Sequence, residues 1–156
     1  MYFNADGDDM INWDRLNKSL ISVDANRQCL LDKFDCFARQ AYEKINSSNF
    51  HIKGIEIEPL GDENYFLTKF AGRTVRFQFD AAFVEGGLLS GFVNCFLVEG
   101  FPDLGYRKLG SFKFSASGKT DFINDGDGDA LLIDTDIGAL YIVLNYIHKS
   151  LEQFPK

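Results

Sequence analysis

The stretch Arg73-Thr-Val-Arg-Phe-Gln-Phe-Asp-Ala-Ala-Phe-Val84 decides the fold, because its apolar side chains recur at every second position. Successive side chains of a β-strand point to opposite faces of the sheet. Val75 and Phe77 therefore share one face, and Arg76 and Gln78 share the other. The stretch predicts a strand with one face in the protein core and one polar face. The function then depends on what the second face meets.

The two-residue period extends from about Phe50 to Ile123, and turn residues separate the apolar runs. We expect turns at Gly61-Asp-Glu-Asn64, Ala71-Gly72, Glu85-Gly-Gly87 and Ser117-Gly118. Short connections between successive strands favour antiparallel pairing. The middle of the chain therefore predicts an antiparallel meander of five or six strands.

Helical periodicity precedes these strands. We expect a short helix over about residues 11–20 with Asp9 as its cap, and a stronger helix from near Val23 with Ser22 or Asp24 as its cap. The stronger helix places its apolar residues on one face: Val23, Leu30, Phe34, Phe37, Ala38, Ala41 and Ile45.

A last helix is expected to start at Asp134 or Asp136, whose carboxylates suit the positive end of a helix dipole. Its predicted apolar stripe consists of Ile137, Leu140, Leu144, Ile147, Leu151 and Phe154. The element order predicts an α+β fold, a two-layer sandwich of N-terminal helices, an antiparallel five- or six-stranded meander and a C-terminal helix. We expect residues 1–9 to form a flexible acidic lead-in and residues 10–156 to form a single α+β domain.

The composition restricts the class of partner. The chain has 156 residues and a formal net charge of −7, so duplex nucleic acid and anionic membranes would repel it at long range. Neither a secretory signal nor an apolar run of about 18 residues is present in the sequence. Three cysteines without metal-site spacing are typical of a reducing compartment, and we expect a cytoplasmic protein.

The segment Leu88 to Val98 carries apolar side chains on both faces of its predicted strand. Val93 and Cys95 point one way, and Phe92 and Phe96 point the other. A large apolar patch is rare on a soluble monomer, so we expect the outer face to be covered. The candidates are a second copy of the protein, a curled sheet that encloses a cavity, a ligand, or the chain's own helices.

Polar groups accompany the apolar side chains on that predicted outer face. A mainly apolar wall with a few convergent polar groups is typical of a ligand site. The alternation places seven candidate ligand-binding residues there: Arg76, Gln78, Asp80, Phe92, Asn94, Phe96 and Lys113. The same pattern also fits cross-strand pairing, in which arginine and aspartate neutralise each other.

The acidic stretch Asp125-Gly-Asp127-Gly-Asp129 is a candidate metal site for Ca²⁺ or Mg²⁺. It resembles the calcium loop of EF-hand proteins over about twelve residues, since the three carboxylates match the first three ligand positions and Asp136 falls at the twelfth. The sequence departs from that loop at Ala130, where the family has glycine, and at Asp136, where it has a bidentate glutamate. The alternative is a solvated loop before a helix.

No catalytic constellation stands out, and we predict no catalytic residue and no cofactor. His51 and His148 lack a cysteine or histidine at ligand spacing, although Cys95 and His148 can still meet in space. The first functional hypothesis is a cytoplasmic, non-enzymatic binding or protein-interaction module that self-associates through a sheet face or a helix. The alternatives are a small-molecule-binding protein or enzyme with a cavity between a curled sheet and the helices, and divalent-metal binding at residues 125–129. Possible partners are a second copy, a basic protein or a small apolar ligand.

Overall fold

The chain forms a long helix, a run of strands and a second helix. The computed structural model describes residues 12–58, 64–100, 103–123 and 128–155, which contain two helices and seven strands. The predicted lead-in at residues 1–9 lies outside the described residues. In chain order the elements are α1 (Trp13–Ile45), β1 (Glu56–Glu58), β2 (Tyr65–Phe70), β3 (Arg73–Phe83), β4 (Leu89–Glu99), β5 (Gly105–Phe114), β6 (Lys119–Ile123), β7 (Ala130–Leu132) and α2 (Asp136–Leu151).

The strands form one antiparallel meander in the order β1 to β7, which confirms the predicted topology. The predicted hairpin between β2 and β3 is also confirmed, since Ala71 and Gly72 have φ values of 52° and 80°. Two successive positive φ angles match the right-handed twist of the flanking strands.

The predicted strand count was too low by at least one. The additional strand is β7, which has only three residues and is too short to show a period. It is held by hydrogen bonds from the Thr120 hydroxyl to the Leu131 carbonyl (2.8 Å) and from the Ile133 amide to the Gly118 carbonyl (2.8 Å).

Both helices pack on the same face of the sheet, called here the inner face. Phe37 of α1 lies 6.0 Å, between ring centroids, from Phe77 of β3 and 6.0 Å from Phe112 of β5. Tyr146 of α2 reaches the same two rings at 5.9 and 6.1 Å. The predicted two-layer α+β sandwich is therefore confirmed, and its core lies between the inner face and the helices.

The N-terminal region is one helix in the described residues, and the expected break near residue 21 was wrong. Asn12 caps α1, because its side chain accepts a hydrogen bond from the Arg15 amide at 3.0 Å. Ser22 does not act as a cap, since its hydroxyl donates to the Ser19 carbonyl within the helix. Residues 20–24 include no glycine or proline, so nothing stops helix propagation there.

The buried side of α1 was predicted correctly from Leu30 onward, although Val23 of the predicted face is only partly buried, and the buried side of α2 was not predicted correctly. Leu30, Phe34, Phe37, Ala38, Ala41 and Ile45 are the buried residues of α1. In α2, which starts at Asp136 with Thr135 as its cap, the buried residues include Ala139, Ile142, Val143, Tyr146 and Ile147. Ile147 belongs to the predicted stripe of α2, but Ile137, Leu151 and Phe154 of that stripe are exposed.

The physical reason lies in the composition of α2. The helix is apolar on two sides, so the period alone does not indicate which side the sheet covers. Gly138 marks the covered side, because a Cβ atom at this position would collide with the backbone carbonyl of Leu132. The first turn of α2 therefore packs directly against the end of β7.

Phe37→Ala tests the importance of the shared aromatic core. Phe37 is fully buried among rings from α1, β2, β3 and β5. We expect the substitution to lower the free energy of unfolding by about 3 to 5 kcal/mol, as for other buried phenylalanines. Urea denaturation measures the change. Tyr42→Ala, on the exposed side of the same helix, is the control and should cost less than about 1 kcal/mol. Equal losses in both variants would contradict this view of the core.

Candidate functional site

The seven predicted ligand-binding residues lie together on the side of the sheet opposite to the helices. Strand pairing sets Arg76 beside Phe96, Gln78 beside Asn94, and Asp80 beside Phe92. Lys113 of β5 pairs with Phe92 from the other side. We use the name outer sheet face for these outward side chains of β2 to β5: Tyr65, Leu67, Lys69, Thr74, Arg76, Gln78, Asp80, Phe92, Asn94, Phe96, Val98, Tyr106, Lys108, Ser111 and Lys113.

Arg76 makes three side-chain contacts on the outer sheet face. Its guanidinium carbon lies 3.8 Å from the ring centroid of Tyr65 and 5.6 Å from that of Tyr106. Its Nε donates a hydrogen bond to Oε1 of Gln78 at 3.0 Å. In the described part of the chain, no carboxylate lies within ion-pair distance of Arg76. The cation is therefore held in place by rings and an amide.

The contacts of Arg76 with Tyr65 and Tyr106 were not predicted from the sequence. The contact with Tyr65 could have been derived from the position of the hairpin. Tyr65 pairs with Gln78 because each is the sixth residue from the Ala71-Gly72 turn along its own strand. The turn thus sets which β2 residue lies beside the cation. Tyr106 was harder to place, because the pairing of β4 with β5 shifts register between Cys95 and Phe96. Such a bulge changes which residues share a face.

A shallow depression lies on the outer sheet face in the part of the chain that the structure describes. The depression has a volume of about 200 Å³ and is lined by Arg76, Gln78, Phe96 and Tyr106. Pockets that enclose a drug-sized molecule hold about 300 to 1,000 Å³. Lys113 lines a different depression, between β5 and β6, together with Thr120 and Asp121. The geometry therefore suits contact with another surface better than burial of a small ligand.

Side chains occupy the space between the sheet and the helices, where the cavity hypothesis places its ligand. The rings of Phe66 and Phe77 stack there with centroids 4.8 Å apart, and Phe34 lies 5.6 Å from Phe66. The seven predicted ligand-binding residues face away from this space, because they alternate with the buried residues of their strands.

The predicted metal loop is only partly described. Asp125 and Asp127 lie outside the described residues, whereas Asp129 is exposed just before β7. Among the residues that the structure describes, no three or more histidine, cysteine, aspartate or glutamate residues are grouped so that they could hold a metal ion. The segment lies between strands β6 and β7, whereas an EF-hand loop connects two helices. Binding of Ca²⁺ or Mg²⁺ at residues 125–129 stays a prediction.

The other chemically interesting groups lie apart from the outer sheet face. Cys95 is fully buried on the inner side of β4, and burial raises the pKa of its thiol. Burial also raises the pKa of the neighbouring Tyr146. His148 is exposed and pairs with Glu152 at 2.9 Å. The buried thiol of Cys95 thus lies beside a tyrosine, and His148 lies at the surface.

Comparison with known proteins gives no match to a protein-family model, to a curated protein or to a solved structure. Within the described ranges, neither helix combines the length and apolar composition that crossing a bilayer requires.

We expect the protein to be less stable at alkaline pH, because Cys95 and Tyr146 are buried. Cysteine in an unfolded chain ionises near pH 8.5, whereas burial keeps Cys95 protonated in the folded protein. The contribution of Cys95 to the free energy of unfolding is therefore fully present below about pH 8.5. It falls as the pH rises further, because ionisation of the thiol stabilises the unfolded state. We expect a loss of about 1 kcal/mol from Cys95 between pH 8.5 and 9.5, measured by urea denaturation. Cys95→Ala should show a smaller loss over the same range, and an unchanged loss would contradict the assignment.

Proposed function

We propose that this chain is a non-enzymatic protein-interaction module that self-associates in the reducing cytoplasm through its outer sheet face. The observation that carries the proposal is the order of charges along β3, where Arg76 and Asp80 flank Gln78 on the same face. This order is self-complementary. A second copy turned end for end over the first brings Arg76 of one copy to Asp80 of the other, and the reverse.

The apolar side chains of β4 support the same symmetry. Phe92 and Phe96 flank Asn94, which pairs with Gln78 in the centre of the face. A twofold axis between Gln78 and its copy therefore also brings Phe92 of one copy onto Phe96 of the other. Self-complementary patches of this kind are what a twofold interface requires, because both partners present the same surface.

The charge of the face is compatible with self-association. The whole chain carries a net charge of −7, but the outer sheet face has four cations, Lys69, Arg76, Lys108 and Lys113, against the single carboxylate of Asp80. Of these four, Lys69 forms an ion pair with Glu58 of β1. Lys108 and Lys113 are exposed on β5, where long side chains keep their ammonium groups in water. Two copies thus meet at a surface that lacks the acidic excess of the rest of the chain. A basic partner protein finds fewer carboxylates here than elsewhere.

The size of the face is adequate for a modest dimer. Four strands about 4.8 Å apart span about 19 Å, and strands β3 and β4 have 11 residues each. At about 3.4 Å per residue the face is about 37 Å long, so its area is roughly 700 Å². Stable protein interfaces bury about 800 Å² per partner. We expect a dissociation constant in the micromolar range.

A charge exchange tests the proposed contact. Arg76→Asp sets two carboxylates against each other across the interface, and Asp80→Arg sets two guanidinium groups against each other. Each single variant should weaken dimerisation by at least tenfold, measured by sedimentation equilibrium. The double variant Arg76→Asp/Asp80→Arg restores opposite charges and should recover most of the affinity.

The control is Arg39→Asp, which makes the same change at an exposed position on α1 and should leave dimerisation unaltered. The proposal is overturned if the native chain is monomeric at about 100 µM, or if the double variant associates no better than the singles. Circular dichroism of each variant checks that the fold is retained.

A further inference from the structure

The N-terminal half of α1 continues the buried stripe of that helix beyond the sheet. Apolar or aromatic residues recur at alternating steps of three and four along α1, with Arg27 as the only interruption: Trp13, Leu16, Leu20, Val23, Leu30, Phe34, Phe37 and Ala41. From Leu30 onward this stripe is buried. The guanidinium of Arg27 lies 5.6 Å from the Phe79 ring and marks the edge of the sheet. We call residues 13–26 the projecting segment.

The projecting segment exposes large apolar side chains in an ordered row. Trp13 is 65% exposed, Leu16 41% and Leu20 56%, although the same stripe is buried a few turns later. A helix of this length is marginal in water without tertiary contacts. Steps of three and four residues are the spacing by which two helices interlock their side chains. The row therefore has the form of a helix-binding surface.

We propose that the projecting segment pairs with the same segment of a second copy, with the two helices antiparallel. In the register that matches every apolar position, Trp13 packs beside Val23 of the second copy and Leu16 beside its Leu20. This register also brings the exposed Asp24 to the N-terminus of the opposite helix, where a carboxylate is stabilised by the helix dipole. This contact is independent of the outer sheet face.

Arg27 decides between the antiparallel and parallel arrangements. In a parallel pair in register, the two Arg27 side chains meet at a core position of the helix interface, and two like charges there are destabilising. The parallel arrangement also sets the two sheet domains side by side at the same end. In the antiparallel register Arg27 lies beyond the paired residues, and the sheet domains lie at opposite ends.

The consequence is a larger assembly than a dimer. The helix contact uses four apolar residues per copy, so we expect it to be weaker than the sheet contact. Two different twofold contacts on one chain build either a closed tetramer or an open fibre. The native chain should therefore pass from dimers to larger species as its concentration rises.

The test uses variants of the full chain in sedimentation equilibrium up to about 200 µM. Leu16→Glu/Leu20→Glu should abolish assembly beyond the dimer and leave the dimer intact. Ile21→Glu is the matched control, because Ile21 is 75% exposed in the same segment but lies off the stripe. It should assemble like the native chain, and equal effects of the two variants would overturn the proposal.

Combination with Arg76→Asp separates this contact from the proposed sheet contact. Arg76→Asp alone should leave a weak dimer held by the helices, and adding Leu16→Glu/Leu20→Glu should yield monomers. If Arg76→Asp changes nothing but the leucine substitutions still remove one step of assembly, the sheet contact fails and the helix contact stands. If the leucine substitutions change nothing, the helix contact fails.

Cross-linking tests the orientation. Leu16→Cys/Leu20→Cys, with Cys29→Ser to remove the exposed thiol, is oxidised and digested with trypsin, which cuts after Arg15, Lys18 and Arg27. Antiparallel pairing joins peptide 16–18 to peptide 19–27 between chains of a cross-linked dimer. Links between two copies of peptide 16–18, or no cross-linked dimer, would contradict the antiparallel contact.

Discussion

The structure depends on the packing of aromatic rings between one face of the sheet and both helices. Phe77 of β3 illustrates this constraint, because it contacts rings of α1, β2 and α2 at once. Burial of large apolar side chains dominates the stability of a domain of this size. Both described helices are used on the inner face, so β3 and β4 present their outward side chains to whatever lies outside the fold. That remaining surface is where we propose the function.

The sequence predicts those features that depend on a period of two residues or on local turn chemistry. The alternation of Val75, Phe77 and Phe79 led to the correct buried face of β3, although Phe83 at the end of the predicted dry face is exposed. Ala71-Gly72 led to the correct hairpin. The covered side of α2 was missed, because it depends on the close approach of Gly138 to Leu132. Strand β7 was missed because three residues show no period. The contact of Gly138 with Leu132 and the hydrogen bond of Thr120 to Leu131 both form only when the chain is folded, so no local sequence pattern indicates them.

The sequence predicted which residues form the outer sheet face, but it did not predict their contacts or the shape of the surface. Alternation alone places Arg76, Gln78 and Asp80 on one face, and the structure places the partner residues of β4 beside them. The contacts of Arg76 with Tyr65 and Tyr106 could not be predicted without the strand register, because the register places both rings beside the guanidinium. The depth of the depression on this surface depends on how its side chains pack, and no sequence pattern predicts that packing. Its shallow shape favours a protein partner over an enclosed ligand.

We propose that a second copy covers the outer sheet face. Hydroxyl-radical footprinting of the native chain at about 1 µM and 200 µM, read out by mass spectrometry, tests it most directly. Tyr106 and Tyr141 are similarly exposed in the single chain, at 51% and 43%, but Tyr106 lies on the outer sheet face and Tyr141 lies on α2. Our account predicts that oxidation of Tyr106 falls at the higher concentration while that of Tyr141 stays constant. Unchanged oxidation of Tyr106 would contradict the account.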